Sequence, residues 1–148
     1  MGWRSAALVG LGLLGACGRG PARRDIGIPV AGTTVEVDAL VRAALTLDAA
    51  AARAADTLYG PEAVVLANAR QRFAAPRFAG VSYGGRVTLG SASVTVEGRW
   101  AWAVIEYRWI GSQRSQVEVG RATIVCARQP GGWRIVHVHS SQPLPWDR

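Results

Sequence analysis

The stretch Gly131-Gly132-Trp133-Arg134-Ile135-Val136-His137-Val138-His139-Ser140-Ser141 decides how this chain is read. Two glycines open it, β-branched and aromatic residues fill it, and nothing inside it breaks an extended backbone, so it predicts a strand. Successive strand side chains point to opposite faces. Unbroken alternation puts Trp133, Ile135, His137, His139 and Ser141 on one face, and Arg134, Val136, Val138 and Ser140 on the other. The first face passes from a large aromatic through an aliphatic to two imidazoles and a hydroxyl, a composition closer to a pocket wall than to a plain core. The second face offers valines to whatever lies behind the sheet.

Working back along the chain, residues 117–128 and 100–110 are similar β-like runs, separated by Gly111-Ser112 and followed by Pro130-Gly131-Gly132. Before them, Arg86-Val87-Thr88-Leu89 leads to Ser93-Val94-Thr95-Val96-Glu97 and the turn Gly98-Arg99. Residues 63–69 and a short piece at 80–82 also read as extended. The helical periodicity comes earlier. Leu40, Val41, Ala44, Leu45 and Leu47 follow a three-to-four spacing, Asp38 can cap the start, and Ala49 to Ala52 favour continuation until Tyr59-Gly60-Pro61. One long helix followed by an antiparallel meander is an α+β arrangement, a strongly bent sheet packed against the N-terminal helix.

The N-terminus is set aside before the fold is considered. A charged start at Met1-Gly2-Trp3-Arg4 precedes an apolar run too short to cross a bilayer, which needs about 20 residues. Leu14-Gly15-Ala16-Cys17 then resembles a bacterial lipobox, with Cys17 as the lipidated residue. Gly10-Leu11-Gly12-Leu13-Leu14-Gly15 matches the dinucleotide-binding glycine pattern, but no strand precedes it, so no backbone cradle for a pyrophosphate is expected. The organisation expected is a signal peptide over 1–16, a lipidated Cys17 and flexible tether over 17–32, one domain over 33–143 and a tail over 144–148.

The 148 residues thus leave room for a single domain with a real core. All 17 basic residues are Arg, against 10 acids. They are scattered singly apart from Arg23-Arg24 and the alternating Arg70 and Arg72, so the excess charge predicts a solvated surface and no nucleic-acid partner. With Cys17 acylated, Cys126 is left alone in a strand, without a disulfide partner and in a position that suits core packing.

The order of a long helix, Leu58-Tyr59-Gly60-Pro61-Glu62-Ala63-Val64-Val65, an aromatic strand, Gly120-Arg121-Ala122-Thr123 and the closing Gly-Trp-Arg-Ile-Val-His-Val-His-Ser-Ser resembles the SnoaL-like branch of the nuclear transport factor 2-like superfamily. The closing strand is also similar to the end of the association (hub) domain of calcium/calmodulin-dependent protein kinase. Ile105 and Ile124 stand where two arginines of that hub pocket would align. The resemblance implies a cone: a bent sheet with helices across its open side and a pocket between them. Its catalytic members imply a general base within the cone, for which the candidates are His137 and His139 with Asp56. Tyr59, Trp102, Tyr107, Trp133, His137 and His139 would line the pocket. Glu106 and Tyr107 are strand neighbours, so one of them points inward; Trp102 and Trp133 suit a core and Trp109 an edge. In this family His-x-His also occurs as a fold feature bonded to backbone, and a metal would want a third ligand that the sequence does not place, so neither metal nor cofactor is expected. Members commonly pair through the outer sheet face, which points to a homodimer over Val117, Val119, Val136 and Val138. The reading is an exported, lipid-anchored binding or assembly module with a small apolar ligand. The alternative is a small isomerase, dehydratase or cyclase using a His base.

Overall fold

The computed structural model describes residues 31–113 and 115–143. The leader, Cys17, nearly all of the tether and the tail lie outside the described residues. Helix α1 spans Ala31–Ala49 and is followed by a 3₁₀ helix at Arg53–Leu58. Six strands complete the chain: β1 Tyr59–Ala67, β2 Arg70–Gln71, β3 Arg86–Glu97, β4 Trp100–Ile110, β5 Val117–Gln129 and β6 Gly132–Ser141. They form one curled, unclosed sheet in the order β2-β1-β6-β5-β4-β3, antiparallel except for the β1–β6 pair. The arrangement is α+β, with α1 lying across β3, β4 and β6.

On α1, Val37, Val41, Ala44, Leu45 and Ala49 recur at three-to-four spacing and are all buried. Fully burying a Val or Leu side chain contributes about 1.5–3 kcal/mol, which ties the helix to the sheet far more strongly than its propensity does. The helix begins earlier than the Asp38 cap predicted, and Asp38 instead accepts a hydrogen bond from Arg42 Nε one turn on, at 2.7 Å. It also stops earlier. Ala51 adopts a left-handed backbone, φ 53°, and the alanine run turns instead of continuing to Tyr59. Propensity is a weak prior that packing overrides. The turn returns Ala55 to the core and delivers Tyr59 to the start of β1.

Strand β4 alternates cleanly. Ala101, Ala103, Ile105, Tyr107 and Trp109 are buried beneath the helix side, while Trp100, Trp102, Val104, Glu106 and Arg108 face outward. Tyr107 is therefore the inward member of its pair with Glu106. Trp102 is on the outer face, not in the core or the pocket, and Trp109 is core, not edge. The 80–82 piece is not a strand but part of the connection from β2 to β3.

The last strand departs from simple alternation. Residues Ile135 and His137 pair with the adjacent Cys126 and Val125, which leaves Val136 as one extra residue in a β-bulge. Trp133 and Ile135 face the core before the bulge, and Val138 and Ser140 face it afterwards. His137 and His139 consequently point to the outer face, opposite Trp133 and Ile135. The reason is energetic. Regular pairing would take two imidazoles out of water among apolar neighbours and leave Val138 in solvent, and buried polar groups without partners cost about 1–3 kcal/mol each. The bulge buries the valine and keeps the rings outside. Val138, expected on the outer face, is fully buried, and Val136 is half-buried.

Candidate functional site

The cone interior gathers its polar groups at one end, around the segment that connects β2 to β3. Helix α1 brings Asp48 there on its buried stripe, one turn beyond Ala44 and Leu45, and Asp48 is wholly inaccessible to solvent. Its Oδ2 accepts backbone N–H hydrogen bonds from Arg77 at 2.5 Å and Phe78 at 3.2 Å. The next residue is held as firmly. Ala79 N–H donates to Ser140 Oγ at 3.0 Å, and Tyr107 Oη donates to the Ala79 carbonyl at 2.7 Å. Phe78 meets the Tyr107 ring edge-on, with 5.9 Å between centroids. Phe78, Ala79 and Val81 are all buried. The chain's own 77–81 segment therefore fills this end of the cone.

Arg77 completes the arrangement. Its side chain is 8% exposed and its guanidinium lies 4.6 Å above the Tyr59 ring centroid, a cation–π geometry. Nη2 donates to Asp56 at the surface, while Nη1 approaches Asp48 Oδ1 at 3.6 Å, close enough for an ion pair but too far for a hydrogen bond. Asp48 Oδ1, Arg77 Nη1 and the Tyr59 hydroxyl are buried without a hydrogen-bond partner. Burial is the main cause of the shifts here. It raises Asp48 above the ordinary carboxylate range despite two N–H donors and Arg77, and it raises Tyr59 and Tyr107 above the usual phenol value. Tyr107 fits over β5 only because residue 120 is glycine: a Cβ there would overlap its ring.

The expected site residues thus separate into two groups. Asp56, Tyr59 and Tyr107 come together around Arg77 and the 77–79 backbone. Trp133 is nearby in the core, covered by Arg128 at 5.7 Å from its ring. His137, His139 and Trp102 stand on the other side of the sheet, so no His–Asp56 pair forms. Asp48, Arg77 and Ser140 were not anticipated. Asp48 carried a readable signal, an acid on the apolar stripe that runs Val37, Val41, Ala44, Leu45, whereas Arg77 in a loop carried none.

The outer face has its own geometry. One row across the sheet reads Val64, His137, Val125, Trp102 and Thr95; the next reads Leu66, His139, Thr123, Val104 and Ser93. Beyond them Arg121 donates to Glu106, an exposed pair. Trp100, Trp102, Val104, Val117 and Val119 are 37–48% exposed on this face. A groove of about 330 Å³ runs beside Glu106 and Arg121, bordered by Val119, Gly120, Ser141 and Gln142.

Comparison with known proteins agrees with this architecture. The family model for the SnoaL-like domain matches residues 41–145. None of the curated proteins matches the chain. Among solved structures, an NTF2-like protein of unknown function from Pseudomonas putida KT2440 is 21% identical with a TM-score of 0.60, covering 78% of this chain and 89% of its own. An NTF2-like protein with a cystatin-like fold from Novosphingobium aromaticivorans is 21% identical with a TM-score of 0.60, covering 75% and 82%. An NTF2-like superfamily protein from Salmonella enterica serovar Typhimurium is 21% identical with a TM-score of 0.61, covering 76% and 92%. At that identity the structures bear on the fold alone, which is that of NTF2-like proteins, and it is the family model, matched over most of the chain, that makes this protein a member of the SnoaL-like domain family.

Proposed function

We propose that this chain is a non-catalytic assembly module, exported and lipid-anchored through Cys17, that pairs with a second copy through the outer face of its sheet. One observation carries the reading: five large apolar side chains, Trp100, Trp102, Val104, Val117 and Val119, stand 37–48% exposed together on β4 and β5. They form two apolar patches on either side of the exposed Glu106–Arg121 pair, and an isologous interface of roughly 1,200–2,000 Å² would cover both. The interior supports the same reading from the other side, because residues 77–81 fill the end of the cone beside Tyr59 and Tyr107, two of the expected pocket residues. The two histidines, the natural general bases, are outside.

The interface test uses Trp102 and Val119. Val138 is fully buried, so replacing Val136 and Val138 would damage the core and report nothing about assembly. Replacing Trp102 and Val119 together by Glu places like charges on the proposed contact and leaves the inner face untouched. Sedimentation should show a dimer for the parent and a monomer for the variant, with equal thermal melts. A parent chain that stays monomeric at high micromolar concentration overturns the reading.

A second reading rests on the three unpaired polar atoms around Arg77, namely Asp48 Oδ1, Arg77 Nη1 and Tyr59 Oη. A small apolar molecule with one polar end could be held there if the 77–81 segment lifts. An apolar fluorescent probe whose binding is lost in Tyr59→Phe would support it.

Anchoring is tested separately. Among the described residues no helix is long and apolar enough to cross a membrane. Cys17→Ser should therefore move the protein to the soluble fraction, since stable anchoring needs the acyl chains. Retention on membranes after a salt wash would count against the lipobox.

A further inference from the structure

We propose that His137 and His139 form half of a site for a divalent late transition-metal ion such as zinc, and that the same two imidazoles of a second copy complete it. The inference rests on the pairing through the outer face proposed above.

The two rings are the only histidines in the chain and are separated by one residue in β6. Residues two apart on a strand share a face about 6.6 Å apart at their Cα atoms, and imidazole reach brings both to one ion, where Zn–N bonds are about 2.0–2.1 Å. The bulge at Val136 turns this pair outward. His139 is exposed and His137 half-buried. Neither ring has a hydrogen bond or ion pair with any described residue, so no described residue competes for their ring nitrogens.

Their surroundings suit a metal shared between copies. His137 is flanked by Val64 and Val125, and His139 by Leu66 and Thr123, so no charged side chain stands directly across from either ring. On the same face Arg121 is paired with Glu106 one row beyond His139, and Arg134, before the bulge, donates to the Trp133 carbonyl at 3.0 Å. Cys126 faces the core and cannot join. Among the described residues no three His, Cys, Asp or Glu gather around one point. One chain thus offers two ligands, whereas a closed zinc site takes four. The missing pair has a natural source. β6 lies inside the sheet, between β1 and β5, with Val64, Leu66, Val125 and Thr123 beside the imidazoles. A two-fold axis that brings two such faces together near β6 would set four imidazoles around one ion. The third ligand that the sequence does not place would then come from the partner.

The test uses the untagged Cys17→Ser chain, stripped with EDTA and titrated with zinc chloride by calorimetry and sedimentation. The expected result is one zinc per two chains and a dimer tightened about tenfold or more. His137→Ala and His139→Ala should each weaken zinc binding by about tenfold or more, and the double variant should abolish it, with melting temperatures in EDTA unchanged. Cobalt(II) in place of zinc should give the strong visible absorption of a tetrahedral site in the parent only. Zinc binding that survives the double variant, or a one-to-one stoichiometry with no effect on association, overturns the proposal. A dimer that persists in EDTA and ignores zinc overturns this inference alone, whereas a chain monomeric both in EDTA and with zinc overturns the pairing as well.

Discussion

Along β4 the odd-numbered residues from Ala101 to Trp109 and the even-numbered ones from Trp100 to Arg108 share one backbone and meet opposite conditions. Inside, Tyr107, Ser140 and the carboxylate of Asp48 are each committed to the backbone of residues 77–79. Outside, Glu106 pairs with Arg121, and among the described residues neither imidazole has a hydrogen-bond partner. The contrast follows from the cost of burying polar groups. A hydroxyl or carboxylate inside must be spent on a partner, while one in water keeps its bonding capacity for another molecule. In this SnoaL-like chain the inner polar groups therefore hold the fold.

The largest expected effect breaks the inner face. Asp48→Ala strands two backbone N–H groups and leaves the buried Arg77 with only its surface partner, Asp56, so urea unfolding should show a loss of about 3–5 kcal/mol. Asp48→Asn keeps an oxygen acceptor and should lose less. It should also remove a pH dependence whose sign is fixed. Burial raises the folded-state pKa of Asp48 above its ordinary value, so the folded protein holds that proton more tightly than the unfolded chain. Its contribution is fully present below about pH 4 and declines as pH rises through the raised value. A parent whose stability rises through that window relative to Asp48→Asn would reverse the assignment.

Next in size is Gly120→Ala, which adds one methyl group where the Tyr107 ring lies. Overpacking of this kind costs about 1–3 kcal/mol, and the melting temperature should fall accordingly. An unchanged melt would mean that Tyr107 swings free of Ala79 at no cost.

Cys126 marks the same boundary through chemistry. Burial pushes its thiol up to about 12, so the native protein should resist iodoacetamide at pH 8 and react once unfolded in urea. The folded state keeps this proton longer, so its contribution to stability declines as pH rises from the ordinary thiol value of 9.0 to about 12. Rapid native alkylation would show that β5 opens locally.

The smallest effects belong outside. His137→Ala and His139→Ala should each shift stability by no more than about 0.5 kcal/mol, as surface substitutions do. Val138→Ala, one residue from either, should cost several times more because it empties a filled core position. If His139→Ala costs as much as Val138→Ala, the outward aim of the imidazoles is wrong.

Much of the fold was legible in the chain. The spacing of Val41, Ala44 and Leu45, the alternation in β4 and the glycine-marked turns are periodic signals, and period is what burial writes into sequence. The site was less legible. Trp102 and Trp109 are chemically alike and differ by one unit of alternation, so composition could not say which faced the helix. The end of α1 was hidden because four alanines support either a helix or a turn, and the left-handed Ala51 is set by where β1 must start. Arg77 was invisible for a third reason: its role depends on a contact with Asp48, 29 residues away, that no local pattern encodes.

The extra residue at Val136 has one further consequence. Ile135 and Val138 are both core anchors separated by an odd interval, and the bulge is the slack that lets both reach the core. Removing Val136 would not turn the imidazoles inward. It would leave a regular strand with Ile135 inside, His137 outside and Val138 inside. The same outer row can thus be written in the ten residues of Gly132–Ser141 or in nine. Among relatives of this domain, counting residues from the closing Trp would misplace that row, while counting inward from the two buried anchors would find it.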